Sequence, residues 1–301
     1  LGAGAPCYYP KQELGIQVEA EANEVLPSLF YLQNFVNSKK TKSWRCLNVG
    51  ALGTLKTSLM QKLQSLQNFE WILKEKWNLG ERPDGGNGHT IQHCFPDKFE
   101  SYFKLLHPLF EDITVINKKL TWDDSIKDYE EKNLIRLSWN KLANEYGVKI
   151  VPEISFESFR TVFSENLWPR YIIGPEEGNL ETSIMTPLQK ILMNHIKQDE
   201  EIYFAYFFLA TDDWENPEWT LYKGSLNEIM DFENLDGFRF TPTYWWPESK
   251  SWCVCSDYDL DFTLIAGAKD LMADLSNSIQ FEGLEVDVLT RIDNKADTIN
   301  L

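Results

Sequence analysis

Between Tyr244 and Gly267 the sequence gathers residue types that do chemistry: Trp245, Trp246 and Trp252 beside Asp257, Asp259 and Asp261, with Glu248 between them. In an extended chain alternate residues share a face, so the three aspartates would line up about 7 Å apart. Like charges at that spacing raise one another's proton affinity, which turns carboxylates into general acids, or they attract a hard cation. An EF-hand is excluded, because counting from Asp257 puts Phe262 at the glycine position and Ala268 at the closing glutamate position. Tryptophan faces beside carboxylates suit a sugar or a cationic group. The expected binding residues are therefore Trp245, Trp246, Glu248, Asp257, Asp259 and Asp261, and a catalytic version would pair Asp257 with Asp259 as acid and base. The bland reading is a turn whose aspartates bond to backbone amides. Trp252, at the head of a strand, is expected in the core.

Histidine is scarce, with four in the chain. His89 and His93 are spaced i, i+4 and Cys94 follows, a weak candidate set for zinc. The spacing fits no standard zinc pattern, lacks the Glu of a metalloprotease helix and follows Gly88, so a surface loop with two solvated histidines and a buried Cys94 competes with it. The glycines of Asp84-Gly85-Gly86-Asn87-Gly88 are followed by no Lys-Ser or Lys-Thr and match neither a P-loop nor a dinucleotide fingerprint. Gly174-Pro175-Glu176-Glu177-Gly178 is acidic and reads as a turn. Cys253 and Cys255 share a strand face but lack the two-residue spacer of a redox pair. No nucleophile motif and no cofactor signature is found.

The elements that must position these residues are short and mixed. Ile16–Ala20 and Trp44–Val49 read as strands and Leu29–Val36 as a helix. Leu55, Leu59, Leu63 and Leu66 fall on one face of a helix capped at Gly53-Thr54, and Phe69–Lys76 reads as a strand. Gly80–Gly88 is a loop. Phe99, Tyr102, Phe103 and Leu106 follow i, i+3, i+4, i+7 and predict a helix over 97–108. Ser138–Tyr146 is a helix closed by Gly147, and Thr186–Ile196 is another. Beyond them strands are expected at Ile202–Leu209, Trp219–Tyr222, Ser251–Ser256, Asp261–Ile265 and Glu285–Leu289, with helices at Leu226–Met230 and Lys269–Leu275. The whole reads as α+β in two domains, 1–93 and 94–293, each a mainly antiparallel or mixed sheet with helices packed on one face, followed by a frayed tail, 294–301.

The 301 residues carry a net charge of −17, held unevenly. Residues 121–301 contain 15 Lys and Arg against 34 Asp and Glu, a net −19. Such a field repels nucleic-acid phosphates and anionic lipid and favours a basic protein partner, although it also serves solubility. No 18-residue apolar run and no signal peptide is seen, and five thinly spread cysteines suit a reducing compartment, so a cytoplasmic protein is expected.

Tyr244–Gly267 also resembles a family of uncharacterised bacterial, actinomycete-type proteins that share a Trp-Trp-Pro-acidic stretch, Trp-Cys-Val and an acidic-x-Asp pair. Phe99–Tyr102 through His107-Pro108, Pro175–Leu180 and Leu221–Gly224 match in the same order, over residues 95–290 or so. The resemblance implies a bacterial origin and a common core, and no activity. Two functions are carried forward: a non-catalytic binding protein of the immunity or regulatory kind with an acidic, Trp-bearing surface, and a hydrolase acting on a sugar or another neutral or cationic small molecule.

Overall fold

A strand buried on both faces needs apolar residues at every position, and this requirement shapes the centre of the molecule. In the computed structural model, which describes residues 60–75, 88–124, 129–211, 219–234, 237–238 and 240–300, the stretch expected as a helix over 97–108 is instead a strand. Tyr102, Phe103, Leu105 and Leu106 are all buried there, alternating between two cores, so the helix-like spacing arose from a run that is apolar on both sides.

The strands in chain order are β1 (Gln61–Leu63), β2 (Ser101–Leu106), β3 (Leu109–Asp112), β4 (Leu134–Leu137), β5 (Ile172–Ile173), β6 (Ile202–Phe207), β7 (Trp219–Gly224), β8 (Tyr244–Pro247), β9 (Cys253–Cys255), β10 (Phe262–Gly267) and β11 (Glu282–Val286). Among the described residues the α-helices are α1 (Glu70–Glu75), α2 (Trp139–Tyr146), α3 (Thr182–Met193) and α4 (Lys269–Ser276). Eight strands form one antiparallel sheet in the order β1-β7-β6-β8-β9-β10-β2-β11, and β4-β3-β5 form a second, smaller one. The architecture is α+β, as the element pattern predicts.

On one face of the large sheet α3, α4 and the 3-10 segment Leu226–Asn234 bury Leu188, Leu192, Leu271, Leu275 and Phe232 against Phe103, Phe204, Trp245 and Ile265. On the other, Phe69, Trp71, Trp139 and Phe159 cover Tyr102, Trp246, Cys253, Cys255 and Leu264. Burying a large side chain of this kind contributes on the order of 1.5–3 kcal/mol, so both faces carry much of the stability.

Local signals set several elements. Ser138 caps α2 by accepting from the Lys141 N–H, and Gly147 ends it at φ 72°, the left-handed C-cap that glycine supplies without strain. Glu282 in β11 strengthens that cap: its carboxylate accepts the N–H groups of Trp139 (2.9 Å) and Asn140 (3.2 Å) and the Ser138 hydroxyl (2.8 Å). Residues 61–75 reverse the expected order. Gln61–Leu63 pairs with β7 as a strand, while Glu70–Glu75 is helical, with Lys74 reaching Glu70 at i, i+4 (2.7 Å) and Trp71 and Ile72 on its buried side. The earlier expected elements, Ile16–Ala20, Leu29–Val36 and Trp44–Val49, lie outside the described residues, as does most of the Gly80–Gly88 loop. All the described residues belong to the compact unit that includes Ser58–Leu301, so 60–75 and 88–93 share it with the expected C-terminal domain. Residues 294–300, expected to fray, are tied down: Asn300 accepts the Lys149 N–H and donates to the Lys149 carbonyl, both at 2.9 Å.

Candidate functional site

The three aspartates do not share a strand face. Ser256–Asp261 is the turn joining β9 to β10: the Leu260 N–H returns to the Asp257 carbonyl (3.0 Å), and the Asp259 N–H donates to Asp257 Oδ1 (3.1 Å). Asp257 is 1% exposed and serves the turn, so the expected acid/base pair with Asp259 loses one member to structure. Asp261 turns toward Phe156, whose N–H it accepts at 2.5 Å. Asp259 keeps partial solvent access.

Neither Trp245 nor Trp246 forms a ligand platform. Both have no exposed surface, and neighbours on a strand point to opposite faces. Trp246 is sandwiched between Tyr203 and Phe69, at ring separations of 5.6 and 5.4 Å, while Trp245 meets Trp252 edge-on at 5.6 Å in the other core. Trp252 is buried as expected. Glu248 is exposed, but β8 carries it to the end of the sheet away from the aspartates, because Tyr244 pairs with Cys255 and Ser256 bonds to Thr243 at the other end. The candidate zinc residues are likewise otherwise engaged. The two histidines are not solvated as the loop reading expected: His89 is buried with its ring stacked on the half-buried His93 (4.8 Å), and His93 Nδ1 accepts the Thr90 N–H (3.0 Å), while Cys94 sits in the apolar core as expected. Among the described residues no group of three or more His, Cys, Asp or Glu is placed to hold a metal.

What gathers at the β9–β10 turn is a different set. The loop Gly174–Gly178 lies on the turn, with the Gly178 N–H donating to the Leu260 carbonyl (2.9 Å) and the Thr241 hydroxyl to the Gly178 carbonyl (3.1 Å). Gly178 has φ 65°, and a Cβ on it would fall 2.4 Å from Tyr258 Cα, so only glycine permits this approach. Asn179 holds the Glu176 carboxylate at 2.7 Å, leaving the neighbouring Glu177 facing solvent above the turn. Glu157, in the 3-10 segment Phe156–Val162, completes the group and is forked by Arg160 at 2.5 and 2.7 Å.

Glu177, Asp259, Asp261 and Glu157 come from three separate segments and feel one another. Crowding by protein atoms raises the Glu177 carboxyl most, and the charges of Asp261, Asp259 and Glu157 push it further, well above the usual carboxylate range. Glu177 stays exposed, so water screens part of that repulsion. Burial lifts Asp259 to about 6, offset in part by a hydrogen bond from Tyr258. Asp261 is raised by burial too, although the Phe156 N–H and nearby Lys104 oppose this.

Behind the carboxylates lie two fully buried bases on and beside β2. Lys104 donates to the carbonyls of Ile154 (2.5 Å) and Pro152 (3.3 Å) and stands 3.9 Å from the Phe262 ring centre. Desolvation lowers its amine to about 8 against the favourable charges of Asp261, Glu153 and Asp297. His107 bonds to the Glu176 carbonyl through Nδ1 (2.6 Å) and to Thr263 Oγ1 through Nε2 (2.9 Å), and burial lowers its ring to about 4.

Of the expected residues the structure brings Asp259 and Asp261 together and adds Glu157, Glu177, Lys104 and His107. Sequence signals that could have found two of them exist, for Glu177 and Lys104. Pro175-Glu176-Glu177-Gly178 places an acidic pair against a glycine, and Lys104 is the one charge inside an otherwise apolar strand. A separate open groove of about 780 Å3 runs between α3 and α4, past Lys190, Asp274 and Ile279, and includes none of the expected residues.

These features define an α+β protein with a crowded carboxylate cluster at one end of a two-faced antiparallel sheet. No family model, curated protein or solved structure matches this chain.

Proposed function

We propose that the chain is a non-catalytic binding protein, of the immunity or regulatory kind, that docks a basic segment of another protein on Glu157, Glu177, Asp259 and Asp261. The observation that supports this is the cluster itself: carboxylates from three segments meet at the β9–β10 turn, where the charges of Asp261, Asp259 and Glu157 add to burial in raising Glu177, and Glu157 adds to burial in raising Asp261. A lysine or arginine placed among them relieves that repulsion and gains charge-assisted hydrogen bonds, so free energy held unfavourably in the unbound protein returns on binding. The net −19 of residues 121–301 draws a cationic partner in from a distance and turns nucleic acid away. A bacterial, cytoplasmic setting and kinship with the actinomycete-type proteins belong to the same proposal. No helix among the described residues is long and apolar enough to cross a membrane.

The hydrolase reading would now rest on Glu177 as the proton donor and Asp259 as the base, since Asp257 is committed to the turn. The tryptophan platform that motivated a sugar substrate is buried, which favours the binding reading.

An octa-arginine peptide tests the proposal by calorimetry at about 20 and 200 mM salt, which brackets the range where exposed charge pairs become screened. Binding at low salt, weakened about tenfold in the Glu177→Gln/Asp259→Asn double variant, is expected. Glu285→Gln/Asp231→Asn, which removes the same charge from exposed positions outside the cluster, serves as the control. No binding at low salt, or equal weakening in both double variants, would refute the docking site.

A further inference from the structure

The acidic end is held by a buried hydrogen-bond chain whose every direction follows from its ends. The Glu176 carbonyl can only accept, so His107 Nδ1 carries the proton and donates at 2.6 Å. In the neutral ring Nε2 is then an acceptor, and the Thr263 hydroxyl must donate to it at 2.9 Å. Having given its proton to the ring, Thr263 Oγ1 accepts from the Ser256 hydroxyl at 2.8 Å. All three side chains are at most 1% exposed. The chain thus runs from the carbonyl beside Glu177, through the end of β2, to the residue that opens the turn bearing Asp259 and Asp261.

We propose that His107 is a positioning residue for the acidic end, a latch that holds loop 174–178 against turn 256–261 as the neutral Nδ1–H tautomer and releases it when protonated. The regulatory meaning rests on the docking reading, since release would scatter the carboxylates that receive the partner. A protonated ring has two donors, so Thr263 would have to reverse its hydroxyl, and Ser256, no longer able to donate to it, would need another acceptor in a dry site. The charge itself would be buried with no counter-ion on the ring, as both ring nitrogens already face neutral groups. Charged groups on the surrounding elements are Lys104 on β2, Asp261 before β10, Asp257 and Asp259 in the turn, Glu176 and Glu177 in the loop, and Glu282 at the cap of α2, whose Trp139 Nε1 donates to the His107 carbonyl at 2.8 Å. The lowered basicity of the ring, to about 4, agrees with a group that resists protonation until the latch opens.

The test is a nitrogen-15 NMR titration of His107, assigned by loss of its signals in His107→Asn, together with hydrogen exchange at the Gly178 amide. The expected result is an Nδ1–H neutral ring at pH 7, a midpoint well below the ordinary imidazole range, and a loss of Gly178 protection of about tenfold or more with the same midpoint. Thr263→Val breaks the chain between the ring and Ser256 and should lower Gly178 protection at pH 7, while Thr263→Ser should keep it. An Nε2–H ring, or a ring that titrates while Gly178 protection stays flat, overturns the latch. Neither readout involves a ligand, so failure of octa-arginine to bind would defeat the docking reading while these measurements decide the latch on their own.

Discussion

Neutralising Asp259 should stabilise the protein, and only at pH values where the carboxylate is charged. The folded-state affinity for a proton is raised, from 3.8 to about 6, so the native state binds the proton more tightly than the unfolded chain does. A raised acid contributes stability below its unfolded value, and that contribution is lost as pH rises through about 6. A displacement of roughly two pH units corresponds to about 3 kcal/mol. Partial solvent access reduces this to about 2 kcal/mol at pH 8. Asp259→Asn has no charge to bury and lifts one repulsive neighbour from Glu177. Its melting temperature, followed by tryptophan fluorescence, should exceed that of the wild type by roughly 4–8 °C at pH 8, and the two should converge near pH 4. A variant no more stable than wild type at pH 8, or one whose advantage persists unchanged at pH 4, would refute the claim that Asp259 is held at an electrostatic cost.

Other perturbations probe the parts that assemble the site. Gly178→Ala forces a Cβ into the backbone of Tyr258 at a left-handed φ, and should cost about 3 kcal/mol in urea unfolding; a loss under 1 kcal/mol would mean that the loop is not seated as described. Glu282→Ala removes the carboxylate from the α2 N-terminus and should cost about 1–2 kcal/mol, with Glu282→Gln losing less. Lys104 has its affinity lowered to about 8, so its contribution is present above the ordinary lysine value and is lost as pH falls through 8. Wild type should therefore gain stability relative to Lys104→Met between pH 7.5 and 10, and a difference that is flat with pH would contradict a desolvated amine.

Local chemistry was legible wherever one short segment settles the outcome. The Ser138 cap and Gly147 mark both ends of α2, because capping groups and turn conformations act within a few residues, while the aromatic run at Ile202–Phe207 and the spacing of Leu271, Met272 and Leu275 in Lys269–Ser276 carry their own strand and helix signals. The α+β class follows from such segments, and the uneven acidity is a matter of composition alone. Tertiary structure decided the rest. Whether Tyr102, Phe103 and Leu106 sit on a helix or a strand depends on a second core covering the far face of the sheet, which apolar spacing cannot reveal. The same two-sided burial removed Trp245 and Trp246 from any surface. The carboxylate cluster depends on chain folding in the same way: Glu157, Glu177, Asp259 and Asp261 meet because a glycine at 178 lets one loop rest on another, and their proton affinities are set by the neighbours and the lost water that this contact supplies.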